Sequence, residues 1–351
     1  MSVALHAEAD VAPVAHHMYS ATAGRSRTAP RSRTTDRFGF YITAEEKLAE
    51  DDYTRRHPET PEKMNAWSKL LRKWNHTLHA KKKAFCREGI PQSLRHTVWP
   101  LLLNSYGWAL EKRRNYDLLK SQSLVDAEVF AVIERDLGRT FPTHKWFEEE
   151  NGIGRTKLRG ILRAYANLDP TVGYVQGMGF LAATLLLQIE DEESTFWAFV
   201  SLMQEPRYAM AGIYAPGFPY LHVRFHQLKK LMKRKCPSTL RRIESCGIDP
   251  AVYATHSFLT LFSYDLNFEL LSRIWDIFLC EGWKIIYRVV IAVFLLNKKA
   301  LDRAKDESEL LLALRGMYNG KDPDVIIGKS FKVKFKTAEL LRWESQYNMR
   351  K

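Results

Sequence analysis

From Gly89 almost to the end of the chain, apolar residues return every three or four positions, the period of α-helices with one face turned inward. An earlier stretch carries Trp67, Leu70, Leu71 and Trp74 at the same intervals. Pro91 suits a helix N-terminus, and Leu94, Val98, Trp99 and Leu102 form one face behind it. The pattern predicts further helices over 124–137, 156–168, 177–189, 194–204, 219–235, 238–245, 250–263, 267–280, 284–297, 307–315 and 333–347. Chemistry accounts for the breaks between them: Asp169-Pro170 and Gly173, Glu205-Pro206, and the loop Pro216-Gly217-Phe218-Pro219. Order begins near Phe38, Phe40 and Ile42, and Glu45 to Glu62 reads only as a charged segment. Strand signals are nearly absent, with Asp324-Val-Ile-Ile-Gly the one short candidate, and no repeat of fixed period occurs. A single all-α domain of a dozen or more helices follows.

Composition narrows the class. The 351 residues are 46% hydrophobic and 12% aromatic, enough for a large core. Cys86, Cys236, Cys246 and Cys280 are scattered, without zinc-site spacing, which points to a reducing cytosol. No run spans a bilayer; Ile285 to Leu296 is short and interrupted by Arg288, as a buried core helix would be. The first 37 residues, with Arg25, Arg27, Arg31 and Arg33 among Ser and Thr, read as a disordered basic tail.

The net charge of +13 suits nucleic acid, anionic membrane or an acidic protein. Its local runs are Lys81-Lys82-Lys83, Lys112-Arg113-Arg114 and Lys229 to Arg242, and no nucleic-acid-binding motif accompanies them. Between Leu221 and Arg242, the apolar stripe Leu221, Phe225, Leu228 and Leu231 opposes Lys229, Lys230, Lys233 and Arg234. Such a helix is either the solvated face of a core helix or a surface for anionic lipid.

Two short polar motifs stand out in this apolar background. In the first, Asp136 and Arg139 are three apart, Gly138 interrupts the helix, and Thr140-Phe141-Pro142 follows. Arg139 is either one half of a surface ion pair or a cation projecting from a fixed helix end. In the second, Tyr174-Val-Gln176 precedes the Gly177-Met178-Gly179 turn, and Gln176 either caps the next helix or faces a partner. An arginine and a glutamine are the side chains that complete a GTPase active site: the first neutralises charge on the transferring phosphoryl group, the second orients the attacking water. Arg95 and Trp99 share one helix face and read as structural, with Arg95 stacking on Trp99 or pairing with a carboxylate such as Asp136. Metal-ligand spacing, nucleophile elbows and phosphate loops are missing. Any nucleotide and its magnesium would therefore arrive on a partner.

In order, the chain reads Gly89-Ile-Pro91 with Arg95 and Trp99, then Ile133-x-x-Asp136-x-x-Arg139-Thr-Phe-Pro142, then Asp169-Pro170-x-x-Gly-Tyr174-Val-Gln176-Gly177-Met178, then Phe196-Trp197, then Arg273-Ile-Trp275-Asp276 through Gly282. This succession resembles the TBC-domain Rab GTPase-activating proteins, most firmly between Gly89 and Leu296. The resemblance implies an all-α, V-shaped domain whose groove receives a Rab GTPase. It divides the chain into the tail 1–37, a helical lead-in 38–88, a domain core 89–300 and completing C-terminal helices 301–351. It makes Arg139 the arginine finger and Gln176 the glutamine finger, with Arg95, Trp99, Ile133, Asp136 and Tyr174 as supports. The family usually has a proline where this chain has Leu266-Asn267, a difference expected to affect helix entry only.

The resemblance further implies a regulator of a GTPase, with no cofactor of its own, cytoplasmic and peripheral on endomembranes. Contact with anionic membrane is compatible with it, and nucleic acid is not an expected partner. A non-catalytic Rab-binding scaffold using the same groove is the alternative.

Overall fold

The computed structural model describes residues 34–112, 115–123 and 126–349. Most of the expected tail, Arg113 and Arg114, and the start of the helix expected at 124 lie outside the described residues. Among the described residues are twenty α-helices and a single 3-10 turn, and the β pairing comprises isolated bridges at Thr35–Tyr41 and Phe40–His144. The all-α class is borne out.

The helices fall into two packed groups. In the first, Tyr116–Ser121 and Ala127–Leu137 lie on Ile153–Leu168, and Met178–Ile189 packs on Gln92–Leu103 and Glu192–Gln204. In the second, Pro219–Lys235 packs against Pro250–Leu259 and Thr337–Asn348, and Lys284–Leu296 against Pro323–Lys332. The helix Phe268–Glu281 joins the groups, touching the lead-in helix His79–Glu88, Gln92–Leu103 and Lys284–Leu296. Its buried face is long because both groups cover it: Leu270, Leu271, Ile274, Trp275, Ile277 and Phe278 are all in the core.

Several expectations change, each for a local reason. Ala44–Arg56, read only as charged, is a helix started by a Thr43–Glu46 capping box. Only Tyr53 is buried along it, so it carries no apolar period to read. The candidate strand at Asp324 is the helix Pro323–Lys332, with Pro at its start and Asp322 Oδ1 accepting from Asp324 N–H at 2.7 Å. The helix expected over 250–263 stops at Leu259, because Leu261 (φ +48°) and Phe262 (φ +68°) take left-handed backbone without a glycine to announce it.

Asn267 caps the helix that follows, accepting from Leu270 N–H at 2.9 Å. Helix entry at Leu266-Asn267 is thus made by a side-chain cap. The stripe Leu221, Phe225, Leu228 and Leu231 is in the core, and Lys229 pairs with Glu244 at 2.7 Å. That apolar face is covered by protein and not offered to lipid. No helix of the described residues is long and apolar enough to cross a membrane.

Candidate functional site

The helix Ala127–Leu137 begins at an Asp126 cap and buries Ile133, Asp136 and Leu137 on one face. Gly138 follows with ordinary helical backbone (φ −65°), and an added Cβ would meet nothing nearer than the Arg135 carbonyl at 3.9 Å. The chain reverses instead at Phe141, a buried aromatic with φ +46°. Left-handed backbone at such a residue costs about 1–3 kcal/mol and persists only where the surroundings enforce it. Here they are rings: Phe40 at 5.3 Å, Phe180 at 5.4 Å, Phe268 at 6.0 Å and Phe147 at 6.3 Å between centroids. Thr140 Oγ1 donates to the Asp136 carbonyl at 2.8 Å and closes the turn from inside.

The glutamine turn is built from backbone exceptions. Gly173 (φ +58°) and Gly177 (φ +101°) take conformations that other residues resist. The helix Met178–Ile189 then starts on Gly177, with no capping bond from that residue's own side. Its first donors are satisfied from across the turn. Gly177 N–H donates to Asp136 Oδ2 at 3.0 Å, and Gly179 N–H to Tyr174 Oη at 3.2 Å. A Cβ at Gly179 would sit 3.0 Å from Thr140 Oγ1 and 3.1 Å from Tyr174 Oη, so the two turns approach as closely as a glycine permits. Gln176 makes none of the capping bonds and is exposed.

Asp136 is the junction. Its carboxylate is buried and accepts from Arg139 Nε–H, from Tyr174 Oη–H and from Gly177 N–H. Burial first, then the Asp136 charge, pushes the Tyr174 phenol well above its ordinary range, so it serves as a neutral donor. The Asp136–Arg139 ion pair is real but is not the surface pair the spacing suggested, since the carboxylate side chain is 1% exposed and the arginine 31%. The Nε bond to the buried carboxylate anchors Arg139 at the base of its guanidinium. Tyr264 lies close enough for the Arg139 charge to lower its phenol pKa against the dominant effect of burial.

Arg95 and Trp99 do not join this junction. Arg95 forms a two-pronged pair with Asp276, Nε to Oδ1 and a terminal nitrogen to Oδ2, both at 3.0 Å. Trp99 Nε1–H donates to the same Asp276 Oδ1 at 2.9 Å, and Ile90 N–H to Oδ2 at 3.2 Å. The expected Arg95–Asp136 pair is therefore corrected to Arg95–Asp276. Arg95 is also not stacked on Trp99; the Trp99 ring stacks on Trp275 at 5.6 Å. The signal for Asp276 was present, a lone carboxylate inside the apolar run Ile274 to Leu279, but the sequence named no partner for it.

A model of the Rab-GTPase-TBC domain matches residues 92–301, which contain both turns, Asp136 and Asp276. The chain belongs to the Rab-GTPase-TBC domain family. It is 29% identical over 286 residues to the human ecotropic viral integration site 5 protein homolog, covering 80% of this chain and 34% of that protein. It is 34% identical over 237 residues to the Rab GTPase-activating protein tbc-11 of Caenorhabditis elegans, covering 66% and 25%. Among solved structures, the TBC domain of a Chlamydomonas flagellar RabGAP superposes with a TM-score of 0.69 at 26% identity, over 85% of this chain and 99% of that one. The chain thus spans about a third or less of the length of these curated relatives.

Within the TBC fold the site is a surface feature. A cavity of about 410 Å³ lies between Pro219–Lys235, Pro250–Leu259 and Glu307–Arg315, and neither Arg139 nor Gln176 lines it. The aromatic residues that hold Phe141 were also invisible to motif reading, because Phe40 and Phe268 are remote from it in sequence.

Proposed function

We propose that this TBC-domain chain stimulates GTP hydrolysis by a Rab-family GTPase, supplying Arg139 as arginine finger and Gln176 as glutamine finger. The observation that carries this reading is the single buried carboxylate of Asp136, which ties the base of both turns together. An arginine anchored at Nε keeps its planar fork in a fixed direction, as neutralising several phosphoryl oxygens demands. A glutamine next to a glycine cap, with its amide outside every capping bond, suits the orientation of a water on a partner's nucleotide. Ile133, Asp136 and Tyr174 support the fingers from beneath. Arg95 and Trp99 act at one remove, by fixing Phe268–Glu281 against Gln92–Leu103. GTP and magnesium belong to the partner GTPase.

Phosphate release from a panel of GTP-loaded Rab proteins, with this chain and with Arg139→Ala, tests the reading. An arginine finger is worth about 10³–10⁵ in rate, so stimulation by Arg139→Ala should vanish while binding to the responsive GTPase persists. Undiminished stimulation by Arg139→Ala overturns it. Binding to a Rab without stimulation by the unsubstituted chain would instead identify a scaffold.

A further inference from the structure

Ahead of the region matched by the family, residues 34–43 fold back over the arginine turn. Asp36 organises this segment: its Oδ1 accepts from Phe38 N–H at 2.9 Å and from Phe40 N–H at 2.8 Å. Its own N–H donates to the Phe40 carbonyl at 2.8 Å, and Ile42 N–H reaches the Thr34 carbonyl at 3.1 Å. The folded segment then docks on 143–145, with Tyr41 N–H donating to the Thr143 carbonyl at 2.8 Å and Lys145 N–H to the Gly39 carbonyl at 3.0 Å. Gly39 has φ +100°, and a Cβ there would come within 2.8 Å of His144 Nε2, so the contact requires glycine.

His144 locks the two pieces together. Trp146 N–H donates to its Nδ1 at 3.0 Å, so Nε2 carries the proton and donates to the Phe38 carbonyl at 2.8 Å.

Phe40 carries the contact onward. Its ring stands edge-on to Phe141 at 5.3 Å and to His144 at 4.7 Å, and lies 5.1 Å from Phe268. Phe141 is two residues from Arg139 and takes left-handed backbone. Phe180, on its other side, belongs to the helix that follows Gln176. Phe268 opens the helix that bears Asp276. Removing the Phe40 ring leaves Phe141 without one of the walls that hold it in a costly conformation. The turn then relaxes, and the base of Arg139 moves with it.

We propose that residues 34–43 are a positioning element for the arginine turn, with Phe40 the positioning residue acting through Phe141. This rests on the reading of Arg139 as the finger. The element lies outside residues 92–301, so a fragment cut to the family match would lack it.

The test uses the full chain with Phe40→Ala and Phe40→Leu. A displacement of about 1 Å can cost about 10²-fold in rate, so Phe40→Ala should lower the saturated rate of stimulated hydrolysis by about 10- to 100-fold. The half-saturating concentration should stay within about twofold, because the half-buried Phe40 ring packs inward on Phe141, His144 and Phe268. Phe40→Leu, which refills most of the apolar space, should recover most of the rate. Hydrogen exchange gives a readout that needs no GTPase: amides of 138–147 should exchange about tenfold faster in Phe40→Ala, while those of Lys284–Leu296 stay as in the unsubstituted chain. A saturated rate within about twofold of the parent overturns the proposal. Unchanged exchange at 138–147, or exchange accelerated equally throughout, overturns it too. If the parent chain stimulates no GTPase, the functional reading fails, and exchange alone decides whether residues 34–43 hold the turn.

Discussion

Replacing Asp136 by asparagine is the most searching change to the site, because it keeps the shape of the side chain and alters only what it can accept. The carboxylate takes Arg139 Nε–H on Oδ1, and Tyr174 Oη–H and Gly177 N–H on Oδ2. An asparagine offers one carbonyl oxygen and one amide group that only donates. With its oxygen toward Tyr174 and Gly177 it keeps two bonds, weakened to neutral strength, and sets a donor against Arg139. Turned the other way it keeps Arg139 and strands two buried donors. A hydrogen bond to a charged group contributes about 1.5–3 kcal/mol against about 0.5–1.5 for a neutral one. The first orientation therefore loses about 3–5 kcal/mol in gross terms, partly offset because a charge is no longer buried.

A net destabilisation of about 2–4 kcal/mol is expected, which for a chain of this length is about 3–5 °C in melting temperature. Stimulated hydrolysis should fall further than in Tyr174→Phe, which deletes one donor and leaves the carboxylate. Urea denaturation and phosphate release on both single variants and the double variant make the assay. Residues sharing one network should couple by about 0.5–3 kcal/mol. Strictly additive effects, or an Asp136→Asn protein with the stability and activity of the parent, would refute the junction.

The other expectations follow from the same geometry. Arg95→Ala takes the bidentate partner from the buried Asp276 carboxylate, which keeps Arg273 at 3.3 Å as a cation, and should cost at most about 3–5 kcal/mol, measured by denaturation; a variant as stable as the parent would sink this account. Trp99→Ala should cost a similar amount, about 3–5 kcal/mol, from lost packing on Trp275, and it also removes a donor to Asp276. Burial holds the neutral His144 at a pKa of about 4, below the unfolded value, so its contribution is complete above about pH 6.5 and is lost as pH falls toward 4. Asp265, pushed up to about 6 by burial, works in the opposite sense, so the His144 effect is read as the slope that His144→Gln removes from stability between pH 4 and 6.5. If Gln176 supplies the water-orienting amide, a GTPase lacking its own catalytic glutamine should still respond, and one that is wholly unresponsive while its parent responds removes Gln176 from that role.

The helical class, most helix positions and the family are legible in the chain alone, because each depends on near neighbours along it. Helical period reports burial of one face, and proline, glycine and capping residues report ends. Those local signals are weak at Ala44–Arg56, which buries a single residue, and at Leu261 and Phe262, which bend without glycine. Which carboxylate serves which partner is set by the tertiary fold. Arg95 meets Asp276 across 181 positions, and Tyr174 meets Asp136 across 38. Two buried aspartates with interchangeable chemistry are sorted by how the helices dock, and spacing within a helix carries no record of that docking. Phe40 against Phe141 is the same case: each ring is legible as apolar, and the contact that holds the arginine turn exists only once the chain has closed on itself.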